Sequence, residues 1–288
     1  MVGRLGIVVA LLTTGIGVGS TQAQDPSALA RERADYREWL AAAPTSPLAA
    51  IAQQPIGTGL RIGPADADVP LAGVPEQRVV QQNGAVRLED GTGGRAMPRG
   101  VPVRMGRFTL VADGPPGRAA LTVFGPDHAR KLSSYYDPDP SLVFVGPLSP
   151  PAQRGTARVL GIDGLEVDAA EAGSVIVPLG HPRARLRVLR LPTAGSEESE
   201  LAIFFRDATN GAGTYPAGRF VSLVPDGNGR YRLDFNRARN PFCAYSSAYP
   251  CPAPWRGNTI SAAVRAGERY DGGPPAAAPA PAPAPGQR

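Results

Sequence analysis

The stretch Arg219–Phe235, RFVSLVPDGNGRYRLDF, decides the fold class of this chain. Its middle, Asp226–Gly229, combines Asp, Gly and Asn, which accept the backbone conformations that a tight hairpin turn requires. After the turn, Tyr231, Leu233 and Phe235 alternate with charged residues, which is the period-two pattern of a strand with one buried face. The stretch therefore predicts an antiparallel β-hairpin in a mainly β protein.

The residues around this hairpin extend the β prediction in both directions. RARLRVLRL, residues 183–191, alternates arginine with aliphatic residues, and Asn210-Gly211 is a strong turn signal. Short apolar runs separated by Gly, Pro, Asn and Asp fill residues 48–128, which we interpret as a small β-sandwich-like module. We expect a larger domain over residues 129–272, formed by an antiparallel β-sheet or a barrel-like arrangement of strands.

One helix is predicted, within residues 24–47. Leu29, Tyr36 and Leu40 recur at helical spacing, Ser27 can cap the start and Pro44 ends the pattern. The apolar face of this helix either packs on the rest of the chain, which we favour, or docks a partner.

Both ends of the chain have compositions that differ from a globular domain. Residues 1–23 resemble a secretory signal peptide, with Arg4 before an apolar run and small residues at Thr21 and Ala23. We therefore expect export to the periplasm or the medium, with no membrane-spanning segment after cleavage. The Pro/Ala-rich residues 273–288 are predicted to form a disordered tail.

Charge and motif content argue against several classes of function. The 30 basic and 25 acidic residues are interleaved and leave a net charge of +5, without the basic cluster of a nucleic-acid-binding protein. The sequence contains no phosphate-binding loop and no dinucleotide fingerprint. We therefore expect no nucleic-acid partner and no cofactor.

The two cysteines, Cys243 and Cys251, allow three interpretations. An oxidising compartment favours a disulfide, which would close a short loop. A thiol nucleophile would need a nearby base, and the only two histidines, His128 and His181, are distant in sequence. A zinc site would need four ligands, usually supplied in pairs. We favour the disulfide and expect no metal.

A set of polar residues lies at predicted strand ends and hairpin turns, where binding sites are often built. Arginines could clamp a carboxylate or phosphate, and Asp207 with Asp234 could act as paired carboxylates in sugar hydrolysis. Alternatively, the same residues brace turns, which we favour. The candidate binding residues are Arg206, Asp207, Thr209, Tyr215, Arg219, Asp234, Asn236 and Asn240.

Three stretches resemble an uncharacterised bacterial family, known as a domain of unknown function, number sixteen-eighty-four in its series. They are YYDPDPSLVF (135–144), FRDATNGAGTYPAGRF (205–220) and LDFNRARNPFCAYSSAYPCP (233–252), and the resemblance is strongest over residues 133–258. It implies an exported or cell-envelope β-rich protein and supplies no activity. LRIGPADADVPLAG (60–73) is similar to the start of forkhead-associated domains, but Pro64 stands where their phosphate-reading arginine would be.

We therefore expect an exported cell-envelope or secreted β-rich protein. The favoured hypothesis is a non-catalytic binding module for an anionic or polar small ligand or a glycan. The alternatives are a hydrolase that uses Asp207 and Asp234, and a purely structural envelope protein.

Overall fold

The computed structural model describes residues 26–91, 93–126, 133–192 and 198–272. Within them, one α-helix precedes sixteen strands in sheets of four, five and seven strands, so the predicted mainly β class is confirmed. The predicted signal peptide, the predicted tail and His128 lie outside the described residues. Across the described ranges, no helix is both long and apolar enough to cross a bilayer.

The helix and the strands are numbered in the order in which they occur along the chain. They are α1 (Pro26–Ala42), β1 (Ala50–Pro55), β2 (Leu60–Gly63), β3 (Val69–Pro70), β4 (Gln77–Gln82), β5 (Ala85–Glu89), β6 (Gly94–Met97), β7 (Val103–Met105), β8 (Phe108–Asp113), β9 (Ala120–Phe124), β10 (Val143–Pro147), β11 (Thr156–Leu160), β12 (Glu166–Val177), β13 (Ala184–Pro192), β14 (Ser199–Phe205), β15 (Arg219–Pro225) and β16 (Arg230–Asp234).

The first nine strands form two sheets that share one apolar core. The four-stranded sheet has the order β1-β9-β8-β7, and the five-stranded sheet has the order β3-β2-β4-β5-β6. Ile62 and Val79 from one sheet and Leu110 and Leu121 from the other are fully buried in the same cluster. Burying these branched side chains between two sheets is the packing that a β-sandwich uses.

The seven-stranded sheet contains the predicted hairpin. Its order is β10-β16-β15-β14-β13-β12-β11, and every pairing is antiparallel. Leu233 pairs with Leu223 across the hairpin, and both are buried in the core of this sheet. In β13, Leu186 and Val188 are buried while Arg185 is exposed, which confirms the period-two prediction.

The sheet curls until the edge strand β10 approaches β12, the strand next to the other edge, but it is not a closed barrel. Ser149 and Ser174 exchange two backbone hydrogen bonds of 2.9 Å in an antiparallel bridge between the β10 and β12 sides. Pro147 precedes this bridge and Pro178 ends β12. Because proline has no N–H to donate, the ladder does not extend beyond the serines at these positions.

Helix α1 packs on the chain that follows it, as favoured. Leu40 is fully buried, and the Trp39 ring lies 6.2 Å from the Phe242 ring. Arg237 binds Glu32 of the helix at 2.8 Å, so polar contacts fix its position beside the seven-stranded sheet. The helix begins at Pro26, which places Ser27 inside its first turn rather than at the cap.

Candidate functional site

Asp207 and Arg219 form an ion pair that is completely buried. Their side chains are 0% exposed and their N–O distance is 2.9 Å. Arg219 also donates to the carbonyls of Val264 (2.8 Å), Ala266 and Glu268 (3.2 Å). The guanidinium therefore ties residues 264–268 to β15, and its charge is used inside the protein.

The second Asp207 oxygen organises the turn that follows β14. It accepts hydrogen bonds from the Thr209 N–H at 2.8 Å, the Thr209 hydroxyl at 2.6 Å and the Val264 N–H at 3.1 Å. This is the turn-bracing role that the Asp-x-Thr spacing predicts. The neighbouring Arg206 has an exposed side chain, and its backbone N–H donates to the Asn258 carbonyl at 2.9 Å.

Asp234 caps the short turn after β16. It accepts from the Asn236 backbone N–H and side-chain amide, both at 3.0 Å, and pairs with Arg237. Asp207 and Asp234 therefore bind different arginines inside separate turns. Because each charge is already compensated, the geometry lends no support to paired-acid hydrolysis, which stays a prediction.

The two cysteines lie together beneath Tyr215. Both are free thiols in the structure, Cys243 buried and Cys251 exposed, and the Tyr215 hydroxyl is 3.2 Å from each sulfur. The hydrogen bond from the Cys243 thiol lowers the pKa of Cys251 to about 6, and it raises the pKa of Cys243. Among the described residues, no three His, Cys, Asp or Glu side chains are placed to hold a metal ion.

A polar cleft lies beside this region, and Asn240 is the residue of the predicted set that lines it. Its volume is about 250 Å³. Four parts of the chain form its walls: the short turn before β1, the segment before β10, the segment that follows β16, and the last described residues. They consist of Leu48, Ser133, Ser134, Asn240, Ala244, Tyr245, Arg269, Tyr270, Asp271 and Gly272.

Glu268 lies fully buried behind the cleft. Its carboxylate accepts from the Tyr245 hydroxyl at 2.5 Å and from the Asn240 backbone N–H at 2.6 Å. Burial raises the pKa of Glu268, and burial together with Glu268 raises the pKa of Tyr245. Tyr245 also lies 3.1 Å from the Ser133 hydroxyl, so a hydrogen-bonded chain runs from the buried acid to the cleft wall.

Sequence reasoning missed Glu268, Tyr245 and Ser133. Glu268 follows Gly267 in a short stretch of charged residues that predicts a solvated loop, and no motif marks it. Its burial follows from the Arg219 contacts to residues 264–268, which depend on the tertiary fold.

The side-chain oxygen of Asn240 accepts no hydrogen bond from the residues that the structure describes. Asn240 is only 2% exposed, and its amide nitrogen donates to the Arg269 carbonyl at 3.0 Å. Buried polar atoms almost always have a partner, because leaving one unpaired costs about 1–3 kcal/mol. The unpaired acceptor therefore belongs to a residue that lines the cleft.

The described residues form a mainly β fold with a small cleft at Asn240. Residues 131–269 match the model of the family described as Protein of unknown function (DUF1684), which spans just under half of the chain. The predicted resemblance is thereby confirmed, and the matched segment includes Ser133, Asn240, Tyr245 and Glu268.

A solved structure similar to this chain is the solution NMR structure of an uncharacterized protein from Haloarcula marismortui. The two sequences are 32% identical, over 49% of this chain and 77% of that chain, and the TM-score is 0.42. No curated protein matches the chain.

Proposed function

We propose that this protein is a binding module for a small polar ligand, which it holds in the cleft lined by Asn240 and Tyr245. The observation that carries this proposal is the buried, unpaired Asn240 side-chain oxygen in the cleft wall. A ligand that donates a hydrogen bond there would remove the cost of the unpaired atom, which links ligand binding to stability.

The surroundings favour a neutral, hydroxyl-rich ligand such as one sugar ring. Ser133 and Tyr245 offer hydroxyl groups at the wall, and the Tyr270 ring offers an apolar surface. Arg269 and Asp271 both line the cleft and form an ion pair at 3.4 Å, so their opposite charges offset each other and favour a neutral ligand over an anion. Because its pKa is raised, Tyr245 stays protonated and serves as a hydrogen-bond donor rather than a base.

A purely structural role is the second candidate. It is favoured by the buried Asp207–Arg219 network and by the separate turn that Asp234 and Asn236 form, which together use five of the eight predicted residues to brace turns. A ligand screen separates the two candidates, since only a binding module would be stabilised by a defined class of molecule.

We further propose that the chain is exported and that Cys243 and Cys251 form a disulfide there. The signal-like residues 1–23 support export, and the contact of both sulfurs with the Tyr215 hydroxyl supports the pairing. In an oxidising compartment two adjacent thiols are converted to a disulfide by exchange with a disulfide donor.

The test is a thermal-shift screen of monosaccharides, short oligosaccharides and neutral amino acids, followed by calorimetry. We expect one class to raise the melting temperature, and Tyr245→Phe to reduce its affinity because a cleft hydroxyl is lost. Tyr249→Phe is the matched control, because Tyr249 is buried outside the cleft walls. An equal effect of both substitutions, or no shift with any class, would favour the structural role.

A further inference from the structure

A second cavity opens where the seven-stranded sheet fails to close. It lies between β10 and β12, has a volume of about 340 Å³ and reaches the apolar core of that sheet. Most of its lining side chains are aliphatic or aromatic, among them Val143, Phe144, Val175, Val177 and Leu223. This is a different region from the polar cleft, and the two share no lining residue.

The cavity exists because a strand position that faces the core carries no side chain. Leu142 and Phe144 both pack in the core, and alternation along β10 places Gly146 on the same face. A Cβ atom on Gly146 would meet no atom of the described residues within 4 Å. Pro147 and Pro178 lack the N–H groups that pairing of β10 with β12 would need, so the resulting space stays open to the outside.

Two arginines are hydrogen-bonded to the strands on either side of the cavity, although neither is itself a lining residue. Arg185 donates to the Ser174 hydroxyl at 3.1 Å on the β12 side, and Arg230 donates to the Val145 carbonyl at 3.0 Å on the β10 side. Neither arginine belongs to an ion pair with any described carboxylate. An apolar slot with an uncompensated positive rim complements a molecule with an apolar chain and an anionic head.

We propose that this cavity binds a single-chain anionic amphiphile of the fatty-acid class, with the alkyl chain between β10 and β12 and the carboxylate at Arg185 and Arg230. An added peptide strand fits less well, because Pro147 and Pro178 remove two of the donors that strand addition would use. An alkyl chain needs no hydrogen bonds and matches the aliphatic walls.

The first experiment measures dodecanoate binding by calorimetry below its micelle-forming concentration. Ile176 and Val224 are aliphatic strand residues with 52% exposure, and only Ile176 lines the cavity. We expect Ile176→Glu to weaken binding by about tenfold or more, because its charge repels the carboxylate, and the control Val224→Glu to stay within about twofold. Equal effects of the two substitutions, or no saturable binding by the unmodified protein, would overturn the proposal.

The second experiment fills the cavity from within. Gly146→Phe places a ring in open space without requiring an unusual backbone conformation, so we expect dodecanoate binding to be lost while circular dichroism stays unchanged. Dodecanol, which lacks the charge, should bind the unmodified protein more weakly than dodecanoate. Wild-type dodecanoate affinity in a folded Gly146→Phe variant would contradict the assignment, and if that variant does not fold, the Ile176 and Val224 pair decides.

Discussion

Arg219 shows how a residue that suggests ligand binding can be structural. It is among the largest fully buried side chains, and its two terminal nitrogens donate to Asp207 and to carbonyls within residues 264–268. A guanidinium enclosed in this way cannot clamp an external anion without breaking the segment that carries Glu268. Its contribution to function is therefore indirect, through the position of the cleft wall.

Removing this guanidinium should be costly, whereas removing its exposed neighbour should not. We expect Arg219→Ala to lower the free energy of unfolding by about 3–5 kcal/mol, because Asp207 would be left as a buried unpaired charge. Arg206→Ala should change it by less than about 0.5 kcal/mol, since that side chain is exposed. Urea unfolding of both variants measures the difference, and equal losses would contradict the structural assignment.

Asp163 should make stability depend on pH. Burial raises its pKa from 3.8 to about 6, so the folded state binds the proton more tightly than the unfolded state. Its contribution to stability is therefore complete below about pH 4 and is lost as the pH rises through about 6. Asp163→Asn keeps the acceptor oxygen for the Leu165 N–H, and it should be more stable than wild type by about 2 kcal/mol near neutral pH.

The measurement is urea unfolding of both proteins at several pH values. The advantage of Asp163→Asn should grow from near zero at acidic pH to its full value at neutral pH. A constant difference across the series would show that Asp163 does not titrate between the two states in this range.

At the residue scale, local patterns predicted local roles. The Asp207-x-Thr209 turn followed from side chains that bond their own backbone. The partnership of Glu268 with Tyr245 and Ser133 did not follow, because these residues lie far apart in sequence and meet only in the folded chain. The set of residues that line the cleft therefore could not be predicted from their positions in the sequence, although Asn240 was among the predicted residues.

At the element scale, the β15–β16 hairpin and β13 were predictable. Apolar and polar residues alternate along these strands, and this alternation indicates which face of the strand is buried. Which of the first nine strands belongs to which sheet was not predictable, since β1 pairs with β9 across many residues and no local signal encodes that choice. The unpaired region between β10 and β12 was not predictable from the sequence either. The sequence contains Pro147 and Pro178, but it does not show that the strands at which these two prolines lie approach each other.

Helix α1 offers an element-scale prediction. Leu40 is 0% exposed, so Leu40→Ala should lower the free energy of unfolding by about 2–5 kcal/mol through lost burial and a cavity. Ile51→Ala is the control, because Ile51 is 47% exposed and should cost less than about 1 kcal/mol. Similar losses in both variants, measured by urea unfolding, would mean that the helix does not stabilise the sheets.

At the scale of the whole molecule, the thiol pair tests the proposed compartment. Protein isolated from its native host should be lighter than the reduced protein by two hydrogens, as intact mass spectrometry measures. Reduction should lower the free energy of unfolding by about 2–3 kcal/mol, because the loop from Cys243 to Cys251 is then unconstrained in the unfolded state. Fully reduced thiols in protein from the host would contradict export and the disulfide together.

The two prolines beside the Ser149–Ser174 bridge also bear on self-association. The unpaired backbone groups of an open sheet edge can bind a strand of another molecule. A proline at the edge weakens this pairing because it has no N–H to donate. Replacing Pro147 and Pro178 by valine would restore two N–H groups to facing edges. β10 and β12 would then either pair with each other within one molecule or pair with strands of a second copy. Light scattering coupled to gel filtration would distinguish a monomer from a dimer or a larger aggregate.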